Sequence, residues 1–222
     1  MFLLNVISKL LIIDGGTIDN SRQYAVRYTL KLMTKDEWLK CKNASLMIEF
    51  LWTQEPYSSV AKKFEVYPTS EDWMDYLSVE MPLYKFYLSS CRSIWPLLTQ
   101  EESRKGIELA EGFIEGKVKW DSVSEYNWYV EGAAFCFEDP PDQERIDNWI
   151  KDVESQSSDL INKFGKEGKK KTSTQELLKL AAYFADHAMI YPSIQPKGSS
   201  NDEFNIFLCP TLLRQYVNYP VV

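Results

Sequence analysis

The stretch Tyr84-Lys85-Phe86-Tyr87-Leu88-Ser89-Ser90-Cys91-Arg92-Ser93-Ile94-Trp95-Pro96-Leu97-Leu98 decides how this chain folds. Tyr84, Tyr87, Leu88, Cys91, Ile94 and Trp95 recur at intervals of three and four, the spacing that lines apolar side chains along one face of an α-helix. Pro82, just upstream, suits a first helical position, where its missing amide would have no helical partner anyway. The pattern predicts a core helix beginning at Pro82. It also makes Cys91 a core residue rather than a nucleophile.

Working outward, Thr34 and Glu37 carry the spacing of a capping box, with Met33 placed to pack against Trp38 as a hydrophobic staple. Leu46, Met47, Phe50 and Leu51 mark the inner face of a second helix that ends before Glu55-Pro56. Residues 57–68 read as a loop, and Thr69 or Ser70 opens a short helix with Trp73, Met74 and Leu77 inward. Downstream, Thr99 with Glu102 and Ser122 with Glu125 give two further capping boxes. The first predicts a helix with Ile107, Ala110, Phe113 and Ile114 inward, stopped by Gly116. The second predicts one with Tyr126, Val130, Ala133, Ala134 and Phe137 inward.

Asp139-Pro140-Pro141-Asp142 ends that helix and starts the next, whose inner residues are Ile146, Trp149, Ile150, Val153, Leu160, Ile161 and Phe164. Gly165-Lys166-Glu167-Gly168-Lys169-Lys170-Lys171 is a solvated, charged break. Thr174 then caps an amphipathic helix through Leu177, Leu178, Ala181, Phe184, Ala185, Ala188 and Met189. Residues 192–201 are loop-like, and Thr211 to Val217 read as a last helical turn or two. The fold class is all-α, an irregular multi-helix bundle of about six to eight helices joined by short loops.

The domain reading is a helical core over 33–165, a charged linker over 166–173, and a C-terminal helix with an irregular tail, 174–222, packing on that core. Residues 1–32 are an N-terminal extension with two open readings. One is a short strand or helix ending at Asp14-Gly15-Gly16-Thr17, and the other is translation from a start codon upstream of the native one. The apolar run Met1 to Ile13 lacks a positive n-region, is interrupted by Lys9 and is too short to span a bilayer.

Composition bounds the function. At 222 residues, 45% hydrophobic and 26% charged, the chain has enough apolar material for a packed core. A formal charge of −7 and a pI near 4.9 argue against a general nucleic-acid binder, which needs a basic face for phosphates. Cys41, Cys91, Cys136 and Cys209 lie far apart, with no paired-cysteine or histidine spacing for zinc, and read as reduced, buried thiols of a cytosolic protein, Cys91 and Cys136 on their apolar stripes fitting that reading best.

A resemblance can be stated on these residues. Met33-Thr34-x-x-Glu37-Trp38-Leu39, Met47-x-x-Phe50-Leu51, Lys85-Phe86, Cys91-Arg92-x-Ile94-Trp95-x-Leu97-Leu98, Glu102-Ser103-Arg104 and Ile107-Glu108-x-Ala110-Glu111 follow in an order that resembles a family of uncharacterised paralogues expanded in planctomycete bacteria. The similarity covers residues 33 to 137, and Leu212-Leu213-Arg214 before Asn218-Tyr219-Pro220 is similar to a downstream patch of such proteins. The resemblance implies a helical bacterial protein without assigned activity and carries over no catalytic residue. It also implies a start at Met33 and a further helical region after the Leu-Leu-Arg patch, so this chain reads as a shortened member or a gene that ends early.

Chemistry-bearing patterns are few. His187, the single histidine, stands beside Asp186 on a helix edge, and a catalytic triad would have to recruit Ser or Cys from far along the chain. Glu101, Glu102, Glu108, Glu111 and Glu115 crowd one helix, but dipole and i,i+4 pairing account for them. No glycine-rich phosphate loop and no Glu-x-x-His motif occurs. No catalytic residue, cofactor or metal is therefore expected.

Of the seven tryptophans, Trp38, Trp73, Trp95 and Trp149 fall on apolar stripes, while Trp52, Trp120 and Trp128 lie at ends or off the stripe. Those three are the candidate interaction surface. The expected function is a cytoplasmic protein-interaction or regulatory module without catalysis, with an unknown protein partner, no nucleic acid and no membrane. Two alternatives stand beside it: an acidic antagonist of the immunity or defence-associated kind, and an enzyme with a non-local site.

Overall fold

The computed structural model describes residues 33–59, 70–138, 142–165, 172–190 and 205–220, with only the backbone of 70–78, 80 and 190. Expectations that fall elsewhere lie outside the described residues. These are the N-terminal extension, the loop from residue 60 to Thr69, the inward placement of Trp73, Met74 and Leu77, most of the 166–173 linker and the 192–201 loop, whereas Tyr57 to Ser59, read as the start of that loop, are helical with Tyr57 buried. Met33–Val222 forms one compact unit.

The described residues are all-α. Nine helices follow in order: α1 (Lys35–Lys40), α2 (Ala44–Leu51), α3 (Ser70–Ser93), α4 (Glu101–Ile114), α5 (Trp120–Ala134), α6 (Gln143–Gln156), α7 (Ser158–Phe164), α8 (Thr174–Ile190) and α9 (Pro210–Tyr216). Two 3-10 turns, Trp95–Leu97 and Phe135–Phe137, extend α3 and α5. No described helix is long and apolar enough to cross a membrane.

Local signals account for several boundaries. The Thr34 hydroxyl accepts the Glu37 amide at 3.2 Å while the Glu37 carboxylate accepts the Thr34 amide at 2.9 Å, a complete capping box. Met33 packs against the cluster that contains Trp38. Asn43 caps α2 and Asp142 caps α6 through their side-chain oxygens. α4 ends in a Schellman motif, in which Gly116 at φ 72° lets its amide reach Phe113 O and the Lys117 amide reach Gly112 O.

Elsewhere tertiary packing overrides the local signal. Pro82 lies inside α3 rather than at a helix start, and residues on both sides of it are locked in place, Met81 against one apolar cluster and Leu83 within another. That burial outweighs the single hydrogen bond proline removes. The Thr99/Glu102 box does not form, because Gln100 is the N-cap and α4 starts at Glu101, leaving Thr99 one residue too early. α5 starts a turn before the Ser122/Glu125 box, drawn back by Trp120, whose ring meets Phe113 at 5.3 Å. Ser173, not Thr174, caps α8 by accepting the Glu176 amide, and Thr174 instead donates to Glu154. The stretch read as one helix after Asp142 breaks at Ser157 into α6 and α7. In α2 the buried face is Met47, Ile48, Phe50 and Leu51, and Leu46 is turned out to solvent.

Two apolar clusters build the core, and α3 is the wall they share. Leu83 and Phe86 face the smaller cluster of Trp38, Met47, Phe50, Leu51, Leu213 and Val217, while Tyr84, Leu88 and Cys91 face the larger one. The larger cluster is organised around α8, which packs against α3, α4, α5, α6 and α7. The helix expected to pack on the core is its centre. Leu177, Leu178, Ala181, Ala182, Phe184, Ala185, Ala188 and Met189 bury most of its circumference, and the alanines let neighbours approach closely. At the meeting of α4, α5 and α8, Gly106 is so close-packed that a Cβ there would lie 2.5 Å from Val130 Cγ2 and 2.8 Å from Met189 Sδ. The hydroxyl of Tyr84 donates to Met189 O at 2.6 Å, satisfying a carbonyl in the last turn of α8 that has no helical partner.

The smaller cluster is clasped by the C-terminal segment. Arg214 donates to Trp38 O at 2.8 Å and to Cys41 O, serving the carbonyls at the end of α1, and Tyr219 donates to Met33 O at 2.8 Å. Phe50 and Tyr219 stack with ring centroids 5.8 Å apart, and Trp38 meets Phe50 tilted at 6.1 Å and Tyr219 edge-on at 6.2 Å. The Met-Thr-x-x-Glu-Trp-Leu and Leu-Leu-Arg patches thus meet in space.

Candidate interaction surface

The Cys91-to-Leu98 and Glu102-to-Glu111 patterns also meet, and what they build is structural. Arg92 forms a two-pronged pair with Glu111, one prong Nε to Oε1 at 2.9 Å, and that hydrogen bond holds the Arg92 guanidinium above its ordinary pKa. The guanidiniums of Arg92 and Arg104 lie over the Trp95 ring at 3.9 and 5.6 Å, contacts attractive through the ring quadrupole. Arg104 Nε donates to Leu98 O at 2.6 Å. The sequence motif is therefore a clamp between the end of α3 and α4.

Cys91 is fully buried, and burial, with Glu111 adding to it, pushes its thiol far above the ordinary range. Cys136 is half-buried rather than enclosed, and burial raises its thiol as well, against the hydrogen bond from Gln100. All four cysteines are free, but only Cys91 is buried as expected: Cys41 is half-buried and Cys209, just before α9, is exposed. His187 Nδ1 lies 3.4 Å from Asp186 Oδ2, and two cavities of about 300 and 330 Å3 on the described surface are lined by other residues. Among the described residues no group of three or more His, Cys, Asp or Glu is placed to hold a metal ion.

The three tryptophans singled out from sequence are not brought together. Trp52, the C-cap of α2, is half-buried edge-on against Tyr57 at 6.0 Å in the smaller cluster. Trp120, the first residue of α5, is half-buried on Phe113 of α4. Trp128 alone stands out, with 75% of its surface exposed.

Its neighbours on α5 were missed in the sequence. Tyr129 is 63% exposed and stacks on Tyr126, while Phe135 is 51% exposed with its ring edge-on to Tyr183 at 6.4 Å. Trp128, Gly132 and Phe135 stand at i, i+4 and i+7, one face of the helix. A Cβ at Gly132 would meet nothing within 4 Å, so the glycine leaves an open notch between the two rings. Exposed Asp121 and Glu125 and half-buried Glu131 flank the stripe. The opposite face, Val123, Val130 and Ala134, is buried against the core. The signal available beforehand was the run Trp128-Tyr129 lying outside the Val123/Val130/Ala134 register.

Near the end of this face, Tyr183 donates to Glu138 Oε1 at 2.6 Å and Lys179 Nζ lies 3.3 Å from the same oxygen. The Tyr183 hydrogen bond, then Lys179, holds the Glu138 carboxyl below its ordinary pKa. No protein-family model, curated protein or solved structure matches this chain.

Proposed function

We propose that the protein is a cytoplasmic interaction or regulatory module without catalysis, whose protein partner docks on the exposed aromatic face of α5. The observation that carries this reading is Trp128, three-quarters exposed on a helix whose other face is locked into the core. A large apolar ring held in water on a rigid helix is the type of residue that dominates binding energy at interfaces. Asp121, Glu125 and Glu131 around it match a partner with an apolar centre and a basic rim.

The test is affinity purification with the full chain from its own cells, comparing wild type with Trp128→Ser/Phe135→Ser. Both side chains are exposed, so circular dichroism and Tm should stay unchanged. A partner retained by wild type and by a Leu46→Ser control, but weakened at least about tenfold by the double substitution, supports the reading. An identical partner set for wild type and the double variant refutes it.

The formal charge of −7 favours a second reading, an acidic antagonist of a basic protein. In that case binding would fall steeply with salt and would not depend on Trp128.

A further inference from the structure

A cavity of about 300 Å3 opens between the turn leading into α4 and the C-terminal half of α6, walled by Pro96, Thr99, Arg104, Trp149, Asp152 and Val153 among others. That volume lies at the lower end for small-molecule sites and corresponds to about ten water molecules. Its polar lining comes from Arg104, Asp152, Gln156 and Ser157. The Arg104 guanidinium is anchored through Nε to Leu98 O and, more loosely, through Nη2 to Trp95 O at 3.5 Å. A guanidinium carries five N–H donors, so most of them remain available to the cavity. Asp152 supplies a carboxylate on the α6 side, and among the described residues neither it nor Arg104 takes part in an ion pair, with each other or with a third group. Thr99 lines the cavity as well, but its hydroxyl oxygen is enclosed by protein and does not open onto it.

The remaining wall is apolar and rigid. Trp149 is held between the Arg145 guanidinium, 4.8 Å from its ring, and Phe137 at 5.9 Å, and it stands beside Pro96 and buried Val153. A free anion would meet Asp152, and a free cation would meet Arg104. A ligand with one charge of each sign, a short distance apart, satisfies both.

We propose that this cavity binds a small zwitterion, an α-amino acid, with its carboxylate on Arg104, its ammonium on Asp152, and its side chain along Trp149, Pro96 and Val153. The site is remote in sequence from the α5 face and makes the protein a sensor of a small molecule as well as a docking module. Its test is independent of any protein partner.

The experiment is titration calorimetry on the full chain in a carboxylate-free, amine-free buffer, with each standard L-amino acid as probe. The best binder is then compared with its deaminated acid and its decarboxylated amine. The expected result is saturable binding of at least one amino acid, with both single-charge analogues at least about tenfold weaker. Exposed Asp152→Asn should weaken binding about tenfold at unchanged Tm. Absence of binding by every amino acid up to about 10 mM, equal binding of the acid analogue, or indifference to Asp152→Asn overturns the proposal.

Discussion

Replacing Gly106 by alanine should destabilise this protein, although the same exchange in an open helix would do the opposite. Within a helix, alanine is favoured over glycine by about 1 kcal/mol. At Gly106 the new Cβ would lie 2.5 Å from Val130 Cγ2 and 2.8 Å from Met189 Sδ, where carbon atoms rest at about 3.5–4.0 Å. Methionine can swing aside, but Val130 is fully buried and β-branched, with one strongly preferred rotamer in a helix. α4 and α5 must therefore separate, and overpacking of this kind costs about 1–3 kcal/mol. The net expectation is a loss of up to about 2 kcal/mol, or a Tm lower by up to about 8 °C for a domain of this size. Gly132 is the internal control, because its Cβ meets nothing within 4 Å, and Gly132→Ala should stabilise by about 0.5–1 kcal/mol. Equilibrium urea denaturation of Gly106→Ala, Val130→Ala and the double variant measures the coupling. Gly106→Ala more stable than wild type by the roughly 1 kcal/mol that an open helix would give, or perfect additivity with Val130→Ala, would refute the close-packed crossing.

Tyr84→Phe should cost about 1–3 kcal/mol, because it strands the buried Met189 carbonyl; denaturant midpoints with unchanged m-value check it. Glu138 contributes stability that is fully present above the ordinary carboxylate pKa and is lost as pH falls through its lowered value. Glu138→Gln should accordingly flatten the acid limb of the Tm-against-pH curve and leave the pH dependence near neutrality unchanged. Thiol labelling of the native protein should reach exposed Cys209 first and Cys91 only on unfolding, and early labelling of Cys91, read by peptide mass spectrometry, would contradict its burial.

What was legible in the sequence was what local physics controls. The Thr34/Glu37 box and the Gly116 stop involve partners within five residues, and both form as spaced. The stripe of α8 was legible because Leu177 through Met189 repeats without interruption. What the sequence hid depended on distant partners. Periodicity showed one buried side of α3, yet Leu83 and Phe86 are buried on another, since the C-terminal segment brings Leu213 and Val217 there. Gln100 and Ser103 are polar and nevertheless buried, which no spacing rule announces. The interaction face was half legible: Trp128 stood off the stripe, but so did Trp52 and Trp120, and only packing separates an unstriped tryptophan that finds Tyr57 or Phe113 from one that finds water.

The Arg214 clasp on α1 has a consequence for how the chain is born. α1 is six residues long, too short to persist as an isolated helix, and its terminal carbonyls wait for a guanidinium 176 residues downstream. Synthesis at roughly 5–20 residues per second separates the two by roughly ten to thirty-five seconds. The first described helix to leave the ribosome is therefore among the last to settle, and during that interval the Trp38 face is open to chaperones.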